Sequence, residues 1–264
     1  MNFEAYLETA VQATRRSAEI LESWRARFSV KEKARADLVT EADRASQDAI
    51  QAMLAAAFPD HRFLGEEDAT GKPIGSMRPA ADAPPTWIVD PLDGTANYVH
   101  DVPAYCVSIG LWAAGRPVLG VILDPRLNEL FTAVEGGGAK LNGKPMRVSS
   151  VPIVRDGLIA TGFPANFGKQ QRNLGIWAKA SEHVQALRRN GSTALSLAYV
   201  AAGRFDGYWA FDNWPWDVLA GFALIREAGG IVTCSDGSPL DPFRPDCLVA
   251  NDKLHAELLG IVNG

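Results

Sequence analysis

The residues best suited to chemistry in this 264-residue chain lie in the run WIVDPLDGTANYVH, residues 87–100. A hydrophobic strand delivers two carboxylates, Asp90 and Asp93, across a proline. Pro91 has a fixed φ and no N–H, so the bend between them is stiff and both groups can face one point. Gly94 and Thr95 follow at an expected helix start, where free backbone N–H groups and the helix dipole favour an anion. Hard oxygen ligands therefore adjoin a phosphate cradle, although the hexapeptide alone also suits a polar turn. Glu66 and Glu67 end the preceding strand, and Asp217 opens a helix after Trp214-Pro215-Trp216. Carboxylates at element ends can converge on one rim, whereas Asp217 by itself equally suits a helix cap. Oxygen ligands without cysteine or histidine spacing select magnesium or manganese over zinc.

The elements that must position these groups show as periodicities. Phe3, Tyr6, Leu7, Ala10, Val11, Thr14, Ala18 and Leu21 recur at helical steps and predict a helix over 3–24. Residues 25–36 are basic and irregular. A second helix is expected from Thr40 or Glu41 to near Pro59, followed by a short strand over 61–64. Residues 69–86, with four prolines and two glycines, read as a loop or loosely held hairpin. Strands are expected at 86–89, 105–112, 116–124 and 129–134, then at 158–161 and 206–210. Helices are expected at 173–181, 192–203 and 216–228, the last ending at Gly229-Gly230. Strands and helices mixed without strict alternation predict a layered α/β (α+β) fold with two sheets rather than a simple Rossmann sheet.

Composition narrows the function classes. The chain is 47% hydrophobic and 22% charged, which excludes disorder and low complexity. With 26 Lys and Arg against 31 Asp and Glu, the formal charge of −5 argues against nucleic acid as a partner. The paired basics Arg15-Arg16 and Arg188-Arg189 are too short for such a footprint and read as solvated helix surface. Cys106, Cys234 and Cys247 form neither a disulfide framework nor a zinc motif, and a reducing compartment fits them. The N-terminus lacks a signal pattern, and the longest uncharged apolar run, 102–115, is short of a membrane span. A cytoplasmic protein with no membrane anchor is expected.

Five motifs together resemble the inositol monophosphatase family along nearly the whole chain. They are DLVTEAD at 37–43, GEE at 65–67, DPLDGT at 90–95, the stretch GSTALSLAYVAAGRFDGYW, and PWDVLAG at 215–221. The resemblance implies a five-layered α-β-α-β-α sandwich of the inositol monophosphatase and fructose-1,6-bisphosphatase type. It implies one domain over 1–264, with a metal- and phosphate-binding half of about 1–145 and a substrate-side half of about 146–264. It also implies magnesium-dependent, lithium-sensitive hydrolysis of phosphate monoesters by a homodimer. By position, Glu66, Asp90 and the carbonyl of Leu92 hold one metal, and Asp90, Asp93 and Asp217 a second, with Asp90 bridging. Thr95 and Glu66 orient and activate the attacking water, and the N–H groups of Gly94 and Thr95 contact phosphate. Glu67 is the candidate one register away. Asp37, Thr40 and Asp43 either cap the second helix or, as the resemblance implies, lie near the site behind a mobile loop and help hold a weaker third metal. Lys31, Lys33 and Arg35 in that loop meet phosphate or face solvent.

On the substrate side, Gly191-Ser192-Thr193-Ala194 resembles the family's substrate-facing helix start, so Ser192 and Thr193 are candidates for the alcohol part; they also suit a cap. Inositol-preferring members carry a glutamate seven residues before the metal-binding aspartate, and Ala210 stands there instead. An alanine cannot accept from ring hydroxyls, which weakens discrimination among polyols; nearby Asp212 is positioned to compensate. Trp209, Phe211, Trp214 and Trp216 either belong to the core or, with Asp212, suit a cationic substrate. The leading expectation is an inositol-1-monophosphatase-like enzyme of broad range with two or three Mg²⁺. Histidinol-phosphate phosphatase is the alternative, then fructose-1,6-bisphosphatase or 3′-phosphoadenosine 5′-phosphate phosphatase. A dimeric interaction protein that binds another protein or RNA is the non-enzymatic option, and intact Glu66, Asp90, Asp93, Thr95 and Asp217 argue against it.

Overall fold

Apolar residues at helical spacing make α1 (Phe3–Trp24) amphipathic, and Asn2 caps it by accepting from the N–H of Ala5. The computed structural model describes residues 2–25, 29–34, 37–69, 74–80, 82–164 and 167–264. A hairpin of β1 (Val30–Ala34) and β2 (Asp37–Thr40) occupies part of the segment read as irregular. Arg35 lies outside the described residues, as do the side chains of Lys31, Lys33 and Asp37. Helix α2 (Glu41–Ala57) starts at an N-cap Thr40 and packs on α1, where the hydroxyls of Ser17 and Ser46 meet at 2.5 Å. Next come β3 (Arg62–Gly65), the single turn α3 (Glu66–Ala69), β4 (Thr86–Asp93) and the five-residue α4 (Thr95–Val99). Strands β5 (Cys106–Ala113), β6 (Arg116–Asp124), β7 (Glu129–Val134), β8 (Gly138–Leu141) and β9 (Lys144–Pro145) complete a sheet of seven in order β3-β4-β5-β6-β7-β8-β9. Only the β3–β4 pair in it is parallel.

The rest of the chain builds a five-stranded sheet. Its elements are β10 (Leu158–Thr161), α5 (Gln170–Ser181), β11 (Ala186–Arg188), α6 (Thr193–Ala201), β12 (Gly207–Ala210), α7 (Pro215–Glu227), β13 (Ile231–Thr233), β14 (Cys247–Ala250) and α8 (His255–Asn263). The strand order is β11-β10-β12-β14-β13. Helices α1 and α2 cover the outer face of the first sheet, α6 and α7 lie between the sheets, and α5 and α8 cover the outer face of the second. The result is a five-layered α-β-α-β-α sandwich. One apolar cluster lies between α1, α2 and the first sheet and another between α5, α8 and the second, while the largest surrounds the nearly all-buried α6 and α7 and reaches both sheets. No described helix is long and apolar enough to cross a membrane.

Two glycines set the position of α7. Gly110 of β5 and Gly120 of β6 are cross-strand partners, so together they leave a flat spot on the sheet. A Cβ on Gly120 would lie 2.3 Å from the carbonyl oxygen of Ala220, and one on Gly110 would lie 2.7 Å from Leu219 Cδ2. On the opposite side of α7, a Cβ on Gly221 would meet Leu197 of α6 at 2.5 Å. The helix that carries Asp217 is therefore seated against backbone. Gly120→Ala should lower stability by about 2–3 kcal/mol through overpacking, read as a lower urea midpoint at unchanged m-value, and should reduce turnover because α7 shifts.

Candidate active site

The register of β4 explains how its two aspartates act together. Residues three apart on a regular strand point to opposite faces. Asp90 pairs with Ser108 and Asp93 with Cys106, so Pro91 and Leu92 together face Val107 alone. This bulge returns Asp93 to the face of Asp90, and Pro91, with no N–H to offer, suits the unpaired position. The N–H of Leu92 donates to Asp90 Oδ1 at 2.9 Å, while the carbonyl of Leu92 accepts from Thr95 Oγ1 at 3.1 Å. Gly94 then turns the chain at φ 95°, where a Cβ would lie 2.9 Å from the Ala104 carbonyl. Only glycine adopts that conformation cheaply.

One face of α2 buttresses this turn. Asp43, almost fully buried, accepts from the N–H and hydroxyl of Thr40 at 2.8 and 2.6 Å as a capping box, and its other oxygen lies 3.3 Å from Thr95 Oγ1. Ser46 Oγ donates to the Pro91 carbonyl, and Gln47 Oε1 accepts from the N–H of Glu67. Thr40 and Asp43 thus cap the helix, and Asp43 also adjoins the site through Thr95.

The second half of the chain supplies partners for Asp93 and the fourth carboxylate. Asp93 Oδ2 accepts from Ser192 Oγ and from the N–H of Ala194, both at 2.6 Å, at the N-terminus of α6. Ser192 is also the N-cap of α6, accepting from the N–H of Leu195, so its hydroxyl serves the helix and Asp93. Thr193 Oγ1 instead meets the Tyr208 hydroxyl at 3.0 Å. Asp217, in the first turn of α7, accepts from the N–H of Trp214 at 2.8 Å. It is a cap as well as a member of the carboxylate group.

Electrostatics ties these residues into one site. Burial pushes the Asp90 carboxyl well above the usual carboxylate range, and the negative fields of Glu66, Asp93 and Asp217 push it further. Glu66 rather than Glu67 is felt there; Glu67 is buried with Oε2 3.8 Å from Arg44. Burial also raises Asp93, opposed by the Ser192 hydroxyl and the N–H groups at the start of α6. Among the described residues these groups do not already close three at a time to metal-ligand spacing; Asp90, Asp93 and Asp217 are each held through one oxygen by protein donors. The donor set nonetheless fits a hard divalent cation, since it is all oxygen and a positive charge reverses the repulsion that raises Asp90.

A 540 Å³ cavity opens beside Asp93, lined also by Ser192, Thr193, Asn97, Gln170, Tyr208 and Arg189. Arg189 is solvent-exposed as expected, but it follows β11 rather than lying on a helix, and it forms part of this wall, with the chain bending at Gly191, φ 84°, two residues on. Its position just ahead of the Gly-Ser-Thr-Ala run was the available signal. Asp212 stands outside the cavity walls and pairs with Lys169 Nζ at 2.5 Å. Ala210 is fully buried in β12. The aromatics divide between core and surface: Trp209 Nε1 donates to Asn173, Phe211 lies under the Arg172 guanidinium at 4.0 Å, and Trp214 stacks on Trp216. They do not form a cation-binding cage around Asp212.

The model of the inositol monophosphatase family matches residues 2–263. The chain belongs to that family. A Synechocystis inositol-1-monophosphatase is 40% identical over 260 residues, 97% of this chain and 88% of the relative. Among solved structures, the extragenic suppressor protein suhB of Bartonella henselae superposes with a TM-score of 0.89 at 36% identity, covering 98% of both chains. The inositol monophosphatase of Anabaena gives 0.86 at 36% identity, covering 99% of this chain and 96% of that one. As an inositol monophosphatase family member the chain is a phosphatase that hydrolyses phosphate monoesters, and its family is generally metal-dependent.

The double duty of Asp43 separates stability from catalysis. Thr40→Ala should cost about 1 kcal/mol as a lost cap, with turnover nearly retained. Asp43→Ala should cost a similar amount and also lower kcat about 10- to 100-fold, because Thr95 loses its anchor. Denaturation and steady-state kinetics on the two variants check this; equal losses of kcat would contradict it.

Proposed function

We propose that this phosphatase uses magnesium and takes small phosphate monoesters over a broad range, inositol 1-phosphate among them. The observation that carries this is the buried Asp90 carboxyl held in the fields of Glu66, Asp93 and Asp217, with Asp93 itself on the wall of a 540 Å³ cavity. In this proposal Glu66, Asp90 and the Leu92 carbonyl hold one cation, and Asp90, Asp93 and Asp217 another; manganese suits the same oxygens. Magnesium, when bound, supplies Lewis-acid neutralisation of the phosphoryl and leaving oxygens and acidifies water.

The chain's own groups supply position and proton transfer. Thr95, fixed by Asp43 and the Leu92 carbonyl, orients a water, and Glu66 accepts its proton as it attacks phosphorus in line; the P–O bond to the alcohol breaks on the opposite side, and the alcohol oxygen takes a proton from solvent. The N–H groups of Gly94 and Thr95 face the phosphate, and no covalent phosphoenzyme is needed. Residues 1–145 then form the metal- and phosphate-binding half and 146–264 the substrate-side half of one unit. Ser192 and Thr193 border the alcohol part, Thr193 through the hydroxyl it shares with Tyr208. Histidinol phosphate is disfavoured because Asp212 is neutralised by Lys169 and the aromatics offer no cage. A homodimer in the cytoplasm completes the proposal, supported by three buried free cysteines that suit a reducing compartment. The structure of Staphylococcal inositol monophosphatase-1 is a LiCl-soaked inhibitory complex at 25% identity, and lithium sensitivity is carried to this chain on that basis.

The test is hydrolysis of inositol 1-phosphate, histidinol phosphate, fructose 1,6-bisphosphate and 3′-phosphoadenosine 5′-phosphate with magnesium, and its suppression by millimolar lithium at limiting magnesium. Asp93→Asn and Asp217→Asn should each lower kcat at least about 100-fold. Magnesium should raise the melting temperature of the natural protein, by linkage of about 2.7 kcal/mol at a hundredfold excess over Kd, and much less that of Asp217→Asn. Full activity in Asp217→Asn would overturn the ligand assignment.

A further inference from the structure

The cavity wall is chemically uneven. Among its described lining residues Asp93 is the single acid, and it is already engaged by Ser192 and Ala194. The wall also holds neutral polar groups, from Asn97, Gln170, Thr193 and Tyr208. The single cation on the wall is Arg189. Nearby positive charges are committed elsewhere: Lys169 pairs with Asp212 and Arg172 covers Phe211. Among the described residues no acidic side chain pairs with Arg189; its guanidinium lies over the Phe163 ring, 5.2 Å from the centroid.

The backbone that carries Arg189 is also pinned. Asn97 Nδ2 donates to the Asn190 carbonyl at 2.8 Å and to the Ala104 carbonyl at 2.6 Å, tying this segment to the turn after α4. A Cβ on Gly191 would lie 2.8 Å from the same Asn97 nitrogen, so the segment is packed tightly against it. A ring-stacked guanidinium on a fixed backbone is a preorganised fork for a phosphate or carboxylate.

We infer that Arg189 makes this pocket selective for phosphate monoesters whose alcohol part carries a second anionic group, a phosphate or a carboxylate, which Arg189 holds away from the hydrolysed ester. The inference rests on the proposed phosphatase site and deepens it by naming a substrate class. It also gives Ala210 a consequence: with no acceptor for ring hydroxyls in β12, the pocket's charged contact to the alcohol part is a donor rather than an acceptor.

Two matched pairs of substrates test it, each differing mainly in the second anion: fructose 1-phosphate against fructose 1,6-bisphosphate, and glycerol 3-phosphate against 3-phosphoglycerate. With magnesium, kcat/KM should favour the member with the second anionic group in at least one pair, and the pair that does so tells phosphate from carboxylate. Arg189 is solvent-accessible, so the preference should be about tenfold. Arg189→Gln should remove it, chiefly through KM, and Arg189→Lys should restore part of it. A preference absent from both pairs, or unchanged in Arg189→Gln, would overturn the inference. The affinity of fructose 6-phosphate relative to fructose, measured by calorimetry in the same proteins, separates the two levels. Loss of all turnover with Arg189-dependent binding intact would sink the proposed activity alone, whereas equal binding of the two ligands by the natural protein and Arg189→Gln would sink the anion subsite.

Discussion

Three carboxylates held around one buried aspartate are the constraint on which the rest of the structure depends. Like charges out of bulk water repel because little solvent screens them, and Asp90, buried, feels the fields of Glu66, Asp93 and Asp217. A chain left to itself would spread these groups or protonate them. The architecture resists spreading by anchoring each carboxylate to an element it cannot leave: Asp90 and Asp93 to a central strand, Glu66 to the single turn α3 that follows the strand beside it, and Asp217 to a helix seated on glycine.

The anchors are helix beginnings. Asp93 accepts donors at the start of α6, Asp217 caps α7, and Asp43 closes the capping box of α2 while supporting Thr95. An N-terminal turn offers unpaired N–H groups that lower the cost of a buried negative charge, so the same acceptor that ends a helix neatly can be kept ionised inside the protein. This also explains why the two halves of the chain cannot be read apart. The carboxylate of β4 is satisfied by α6, more than ninety residues later, and the inner layer of α6 and α7 therefore joins the two sheets chemically as well as by packing.

Much of this was legible in the sequence, and the exceptions have physical reasons. Helix α1 and strands β6 and β7 match their expected limits because amphipathic and turn-bounded patterns are local. Strands β13 and β14 and helix α8 went unread: the strands are only three and four residues long and take their identity from partners distant in sequence. The stiff bend at Pro91 was visible, but the bulge that makes Asp90 and Asp93 share a face depends on the register with β5. Ser192 and Asp217 carry cap and site signals together; the cap roles are both present, and the same hydroxyl and carboxylate stand beside Asp93 and Asp90. Arg189 was misread since a pair of basic residues has no period of its own; its place follows from the left-handed turn at Gly191 and the Asn97 side chain beneath it.

The net charge of −5 consequently says little about what a ligand meets. The acidity that bears on chemistry is concentrated around Asp90, where burial and mutual repulsion favour a cation, and Asp93 carries it to the cavity wall. Asp212 and Lys169, outside that wall, cancel each other, and among the described lining residues Arg189 is the one cation. Charges of both signs on one wall orient a molecule before any hydroxyl is recognised, because Coulombic forces reach farther than hydrogen bonds. Fine discrimination among sugar or polyol rings needs fixed acceptors, and β12 provides none at Ala210. Selectivity in this pocket is accordingly a matter of where a ligand carries its negative charges, and less of how its hydroxyls are arranged.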